Sequence, residues 1–252
     1  MKRLLIVADT HCGHLLGLTP PEFQNDFNRE IASAGWEFYS KTVKELCPDI
    51  VLFNGDIVNI SHFKDTSELI TTDTKKIRDI AIRCIDEIPT TEDTKFIFVR
   101  GSDVHVKDSE EQEDLISENY KSPIFDTIKF DINGCLIHAR HVVGKGGTVY
   151  ASGTGLQRSA IVQQLNDSLK DEPKADIYIR SHAHESFIIR RRLMSALITP
   201  CLQFSGSAYG RKCTGFYDFG LTYIDIESKT DFQIYTKFLE HASGKNQEVL
   251  KL

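Results

Sequence analysis

A strand buried on both faces cannot alternate in polarity, so an unbroken apolar run is its signature. Leu4 to Ala8 is such a run, and it stops abruptly at Asp9, with His11 two residues on. The same event recurs downstream. Ile50 to Phe53 runs into Asn54-Gly55-Asp56, and Phe96 to Val99 into Arg100-Gly101-Ser102-Asp103-Val104-His105. Cys135 to Ala139 carries His138 and is followed by His141, while Asp176 to Ile179 delivers Arg180-Ser181-His182-Ala183-His184. A single acidic strand end is as readily a turn or helix cap. Repetition of one ligand type at successive strand ends points instead to a sheet that gathers its chemistry along the C-terminal edge of its strands.

The segments between these strands supply the helices. Ile31, Ala34, Gly35, Phe38, Thr42 and Leu46 recur at three- to four-residue steps before Pro48, and Ile77, Ile80, Ala81, Cys84, Ile85 and Ile88 do so before Pro89. The opening is therefore βαβαβ, an α/β chain. Asp108 to Asp114 reads as a solvated helix start. Ile128 to Ile132 and Cys135 to Ala139, joined at Asn133-Gly134, read as a tight hairpin. Leu156, Ala160, Gln163, Gln164, Leu165 and Leu169 suggest a less regular helix. Phe187 to Ile189, Leu202 to Phe204, Tyr217 to Ile226 and Asp231 to Phe238 are expected to finish the chain as mostly antiparallel strands. Gly144-Lys145-Gly146-Gly147 fails the phosphate-loop spacing and reads as a flexible loop.

With 252 residues, no repeat and no linker-like stretch, the expectation is one domain over 1–252. A formal net charge of −6 does not favour a chain whose main work is gripping phosphate backbones, although Arg190, Arg191 and Arg192 form a local basic patch. Nucleic acid stays possible as a partner but is not indicated by charge. No apolar run approaches the roughly 20 residues of a membrane span, and the six cysteines form no CxxC pair, so a cytoplasmic protein with reduced thiols is expected. Oligomeric state is not legible.

Carboxylates and neutral imidazoles together suit manganese, iron, zinc or cobalt, and an Asp can hold two cations at once. Asp9-Thr10-His11, Gly55-Asp56, the Gly-led end at Gly101, a histidine at 138 or 141, and His182-Ala183-His184 follow the order DxH, GD, GNH or GND, a lone His, and GHxH. That series resembles the calcineurin-like metallophosphoesterase superfamily, and the DTHCGH and RGSDVH blocks resemble members from bacteriophages and bacteria. The resemblance implies an α/β fold, a four-layer α/β/β/α sandwich with two mixed central sheets. It implies an enzyme that hydrolyses a phosphomonoester or phosphodiester with hydroxide activated by two divalent metal ions, Mn2+ first among candidates with Fe, Zn, Co or Ni as alternatives. Asp9, His11 and His184 would hold one ion, Asp56 would bridge, and His182 with His141 or His138 would hold the other. We choose His141 because it follows the strand.

The chain departs from the pattern at Ser102, where the family has Asn, and at Ser181, where it has Gly. In the leaving-group slot stand Asp103 and, two residues on, His105. His105 is the preferred general acid, since an imidazole donates a proton near neutral pH. A DNA nuclease using the same site, and a non-catalytic binding module that keeps the fold, are the alternatives.

Overall fold

The computed structural model describes residues 1–60, 66–102, 110–143, 152–206 and 217–240. Two mixed sheets face one another. The first has strand order β11-β10-β1-β2-β3-β4, from Phe232–Phe238, Gly220–Ile226, Lys2–Val7, Ile50–Asn54, Lys95–Val99 and Ile124–Phe125. The second has order β5-β6-β7-β9-β8, from Ile128–Ile132, Cys135–Ala139, Ile177–Arg180, Met194–Ile198 and Phe187–Arg191. Helices α1 (Arg29–Leu46), α2 (Thr74–Asp86) and α3 (Glu110–Asn119) belong to the first half of the chain, and α4 (Ser152–Leu169) crosses between β6 and β7.

Three apolar clusters make the layers. Leu5, Val7, Val51, Phe53 and Phe98 pack outward against Trp36, Tyr39 and Val43 of α1 and Ile77, Ile80 and Cys84 of α2. Their sequence neighbours Leu4, Ile6 and Leu52 point the other way and meet Ile137, Ile177, Ile179 and Leu197 of the second sheet. On the far face Tyr178, Ala196 and Ile198 pack against Leu156 and Ala160 of α4. This is an α/β/β/α sandwich. From Leu4 to Val7 β1 is continuously apolar because alternate residues enter two different cores.

Local chemistry agrees with the elements. Asp73 caps α2, its carboxylate accepting from the Lys75 N–H at 2.9 Å. Asn133 and Gly134 take φ of 53° and 81°, the paired left-handed turn that keeps β5 and β6 in register. The strands that follow one another in the first half, β1, β2 and β3, are parallel, so their C-terminal ends share one edge.

Three expectations need correction. Leu202 to Phe204 is no strand: the Leu202 N–H donates to the Asp9 carbonyl and Phe204 to Leu16, so the segment is a tie beneath the first strand's end. β9 was not anticipated, because Arg190, Arg191 and Arg192 mask a hairpin whose second arm is fully buried between β7 and β8. The last-but-one strand begins at Gly220 rather than Tyr217. Gly144 to Gly147 lies outside the described residues. No helix among the described residues is long and apolar enough to cross a membrane.

The inter-sheet core should carry much of the stability. Ile137→Ala, at a fully buried position between the sheets, is expected to cost about 3 kcal/mol in urea denaturation. Ile161→Ala, on the exposed face of α4, is expected to change stability by less than about 0.5 kcal/mol. Equal losses at the two positions would contradict this layering.

Candidate metal centre

The ends of β1 and β2 are zipped together by backbone hydrogen bonds. Asp9 N–H donates to Gly55 O at 3.0 Å, His11 N–H to Asp56 O at 3.0 Å and Cys12 N–H to Ile57 O at 2.9 Å. From the second sheet, the His182 N–H reaches the Asp9 carboxylate at 3.1 Å. These contacts bend the chain sharply. Asp9, His11, Asp56, His182 and His184 all adopt left-handed backbone, with φ of 51°, 43°, 50°, 70° and 59°. Left-handed φ is unusual for residues other than Gly, Asn and Asp, and five instances around one point are over-determined by their surroundings.

The side chains so turned converge. Asp9 and Asp56 are essentially inaccessible, at 0% and 1% exposure. His184 Nε2 lies 3.2 Å and His11 Nε2 4.0 Å from Asp9 Oδ1. His141 Nε2 lies 3.1 Å and His182 Nδ1 3.6 Å from Asp56 Oδ2. Two groups result, Asp9 with Asp56, His141 and His182, and Asp9 with His11 and His184, each with donor atoms within 4.8 Å of one another. As placed, the carboxylate common to both groups is Asp9.

Among the described residues, Asp9 Oδ1, His141 Nε2 and His182 Nδ1 are buried with no well-formed hydrogen bond, meeting one another and Asp56 only as close charge contacts. Buried polar atoms are ordinarily paired, so a converging set of orphans is the arrangement a cation would complete. The His141 Nδ1–H donates to the Asn54 carbonyl at 2.6 Å, which fixes the ring and turns Nε2 to the carboxylates. His11 is held through Nδ1 by Asn59 Oδ1 at 3.3 Å.

Electrostatics carry the same message. Burial alone would push both carboxyls up, yet His141 and His184 hold Asp9 below the usual range, and His141 holds Asp56 well below it. Burial would push His141 down, but Asp56 and Asp9 raise it to about 9. The pocket thus favours positive charge between the two carboxylates.

Of the residues named from the sequence, Asp9, His11, Asp56, His141, His182 and His184 are brought together, and His105 and Asp103 lie outside the described residues. His138 is elsewhere. It faces the outer side of the second sheet, where Arg180 Nη1 approaches its Nδ1 at 3.1 Å. Ser102 and Ser181 have definite roles: the Ser102 N–H and Oγ contact the Asp56 carboxylate at 2.7 and 3.2 Å. Ser181 Oγ accepts from Asn54 Nδ2 at 2.6 Å and lies 2.7 Å from Thr199 Oγ1, joining the two sheets below the site. Sequence reasoning missed Asn54, Asn59 and Glu113. Both asparagines sit within three residues of Asp56, a signal that was available. Glu113 falls in the acidic run read as solvated and is 1% exposed.

No family model matches the chain, and no curated protein matches it. Solved structures do. A single-residue variant of Vps29 from Entamoeba histolytica aligns at 15% identity over 96% of this chain and 94% of its own, with a TM-score of 0.52. The chain has the metallophosphoesterase fold. Wild-type Entamoeba histolytica Vps29 complexed with Zn2+ aligns at 14% identity over 96% of this chain and 94% of its own, TM-score 0.49. An archaeal phosphodiesterase aligns at 13% identity over 93% of this chain and 99% of its own, TM-score 0.47.

His138 gives this metallophosphoesterase-fold protein a distinctive acid response. Burial and the Arg180 charge push its pKa from 6.5 down to about 4. As pH falls the unfolded chain takes up that proton first, so the His138 contribution is intact above 6.5 and is lost progressively toward 4. An NMR titration should show a neutral His138 ring until pH nears 4, and His138→Gln should flatten the acid limb of the stability curve. A ring titrating between 6 and 7 would contradict the burial described.

Proposed function

We propose that this protein is a metal-dependent phosphoesterase of the cytoplasm that hydrolyses a phosphomonoester or phosphodiester. The observation that carries the reading is the convergence of the buried carboxylates of Asp9 and Asp56 and the imidazoles of His11, His141, His182 and His184 into two groups whose ligand atoms lie within 4.8 Å of one another. Asp9, His11 and His184 would hold one divalent ion, and Asp56, His141 and His182 with Asp9 the other. The carboxylate and imidazole donor set suits manganese, with iron, zinc, cobalt or nickel as alternatives. When bound, such a pair supplies Lewis acidity toward a phosphoryl oxygen and a potent nucleophile at neutral pH.

The remaining work belongs to the chain. Asn54 and Asn59 orient His141 and His11, and Ser102 fixes the Asp56 carboxylate. His105 is the proposed general acid, donating a proton to the leaving oxygen. A net charge of −6 lends no support to a nuclease using these residues. One observation favours a binding module that has kept the fold: Ser102 Oγ lies 3.2 Å from both Asp56 oxygens, where the family pattern puts an amide.

Hydrolysis of p-nitrophenyl phosphate and bis(p-nitrophenyl) phosphate after chelation and Mn2+ reconstitution tests the proposal. Turnover is expected only with metal, and Asp56→Asn should lower kcat/KM by at least about a hundredfold. Absence of metal-dependent turnover on every ester tried would contradict it and favour the binding module.

A further inference from the structure

Glu113 belongs to neither ligand group, and the proposed reaction gives it no step. Its carboxylate is nevertheless 1% exposed on α3, behind the centre. One oxygen, Oε1, accepts from the Ile57 N–H at 2.9 Å, and the other, Oε2, accepts from the Gly101 N–H at 3.0 Å. Ile57 directly follows Asp56, and Gly101 directly precedes Ser102, whose N–H and Oγ contact the Asp56 carboxylate. A single side chain therefore ties the end of β2 to the end of β3.

Neither loop can shift without moving Asp56. A Cβ on Gly101 would lie 2.2 Å from Asp56 Oδ1, and one on Gly55 would lie 2.7 Å from the Gly101 Cα. α3 itself is anchored, with Arg100 bidentate to Asp114 at 2.6 and 3.1 Å, Arg78 donating to Gln112 at 2.7 Å, and Ile116 in the core. A carboxylate suits this place for a stated reason: two N–H donors need two acceptors. Glutamine offers one acceptor and one donor group, so it would set an N–H against an N–H in a buried space. Aspartate is one methylene short of spanning both.

We propose that Glu113 is a positioning residue that sets the Asp56 carboxylate for a cation shared with Asp9, His141 and His182. The inference rests on reading the cluster as a metal centre. It reaches the ion only through the two backbone amides and Ser102.

The test is Mn2+ titration calorimetry and the visible spectrum of the Co2+-loaded full chain. Wild type should bind at both groups. Glu113→Gln should weaken binding at the Asp56 group about tenfold or more and shift the Co2+ spectrum, leaving the Asp9, His11 and His184 group as in wild type. Glu113→Asp should fall between, and it carries the test with the same readouts should Glu113→Gln fail to fold. Leu156→Ala, fully buried on α4 at the outer face of the second sheet, should lower Tm and leave Mn2+ affinity and the spectrum unchanged. Wild-type affinity and spectrum in the Glu113 variants would overturn the inference, as would a Leu156→Ala protein that loses affinity in step with its Tm. A wild-type chain that binds no Mn2+ would overturn the metal reading itself, a result distinct from either.

Discussion

Two carboxylates with no access to water, Asp9 and Asp56, are the constraint on which the rest of the structure depends. Two anions brought this close in a low-dielectric interior repel one another and forgo solvation, so positive charge must stand between them. Four imidazoles face them from loops of both sheets. The depressed carboxyls and the raised His141 are two sides of that one attraction, and the orphaned donor atoms show where it is unfinished. A site of this composition satisfies itself with a cation more fully than with protons, because a proton engages one pair and a metal ion engages every donor at once.

The fold exists to make that juxtaposition rigid. Parallel β1, β2 and β3 end on one edge, and β6 and β7 bring His141, His182 and His184 from the facing sheet. Left-handed backbone at Asp9, His11, Asp56, His182 and His184 is destabilising in isolation, and the zipped amides at the ends of β1 and β2 hold it in place. Below the centre, Asn54, Ser181 and Thr199 connect the sheets through side chains. Ser181 can make that link only because it is not glycine, so the departure from the family pattern there has a structural use.

Much of this was legible in the chain. Continuous apolar runs marked strands with two buried faces, and the convergence of Asp9, His11, Asp56, His141, His182 and His184 was foreseeable because strand ends carry carboxylates and imidazoles in a recognisable order. His138 and His141 separate in the structure as strand geometry requires, one on the outer face with Arg180 and one at the edge with the carboxylates. Other features left weaker traces. β9 was hidden behind three arginines, Leu202 to Phe204 looked like a strand because a buried tie is as apolar as one, and Asn59 was passed over although it lies three residues after Asp56. Glu113 could not be found from sequence at all. Its burial comes from how α3 docks on the ends of β2 and β3, and nothing in a run of acidic residues says which one turns inward.

The central claim is that these side chains grip cations, and anomalous diffraction at the manganese edge from crystals soaked in Mn2+ tests it most directly. The account predicts two peaks, one enclosed by Asp9, Asp56, His141 and His182 and one by Asp9, His11 and His184. Crystals in which this pocket shows no anomalous density, with manganese bound only to surface carboxylates, would contradict it.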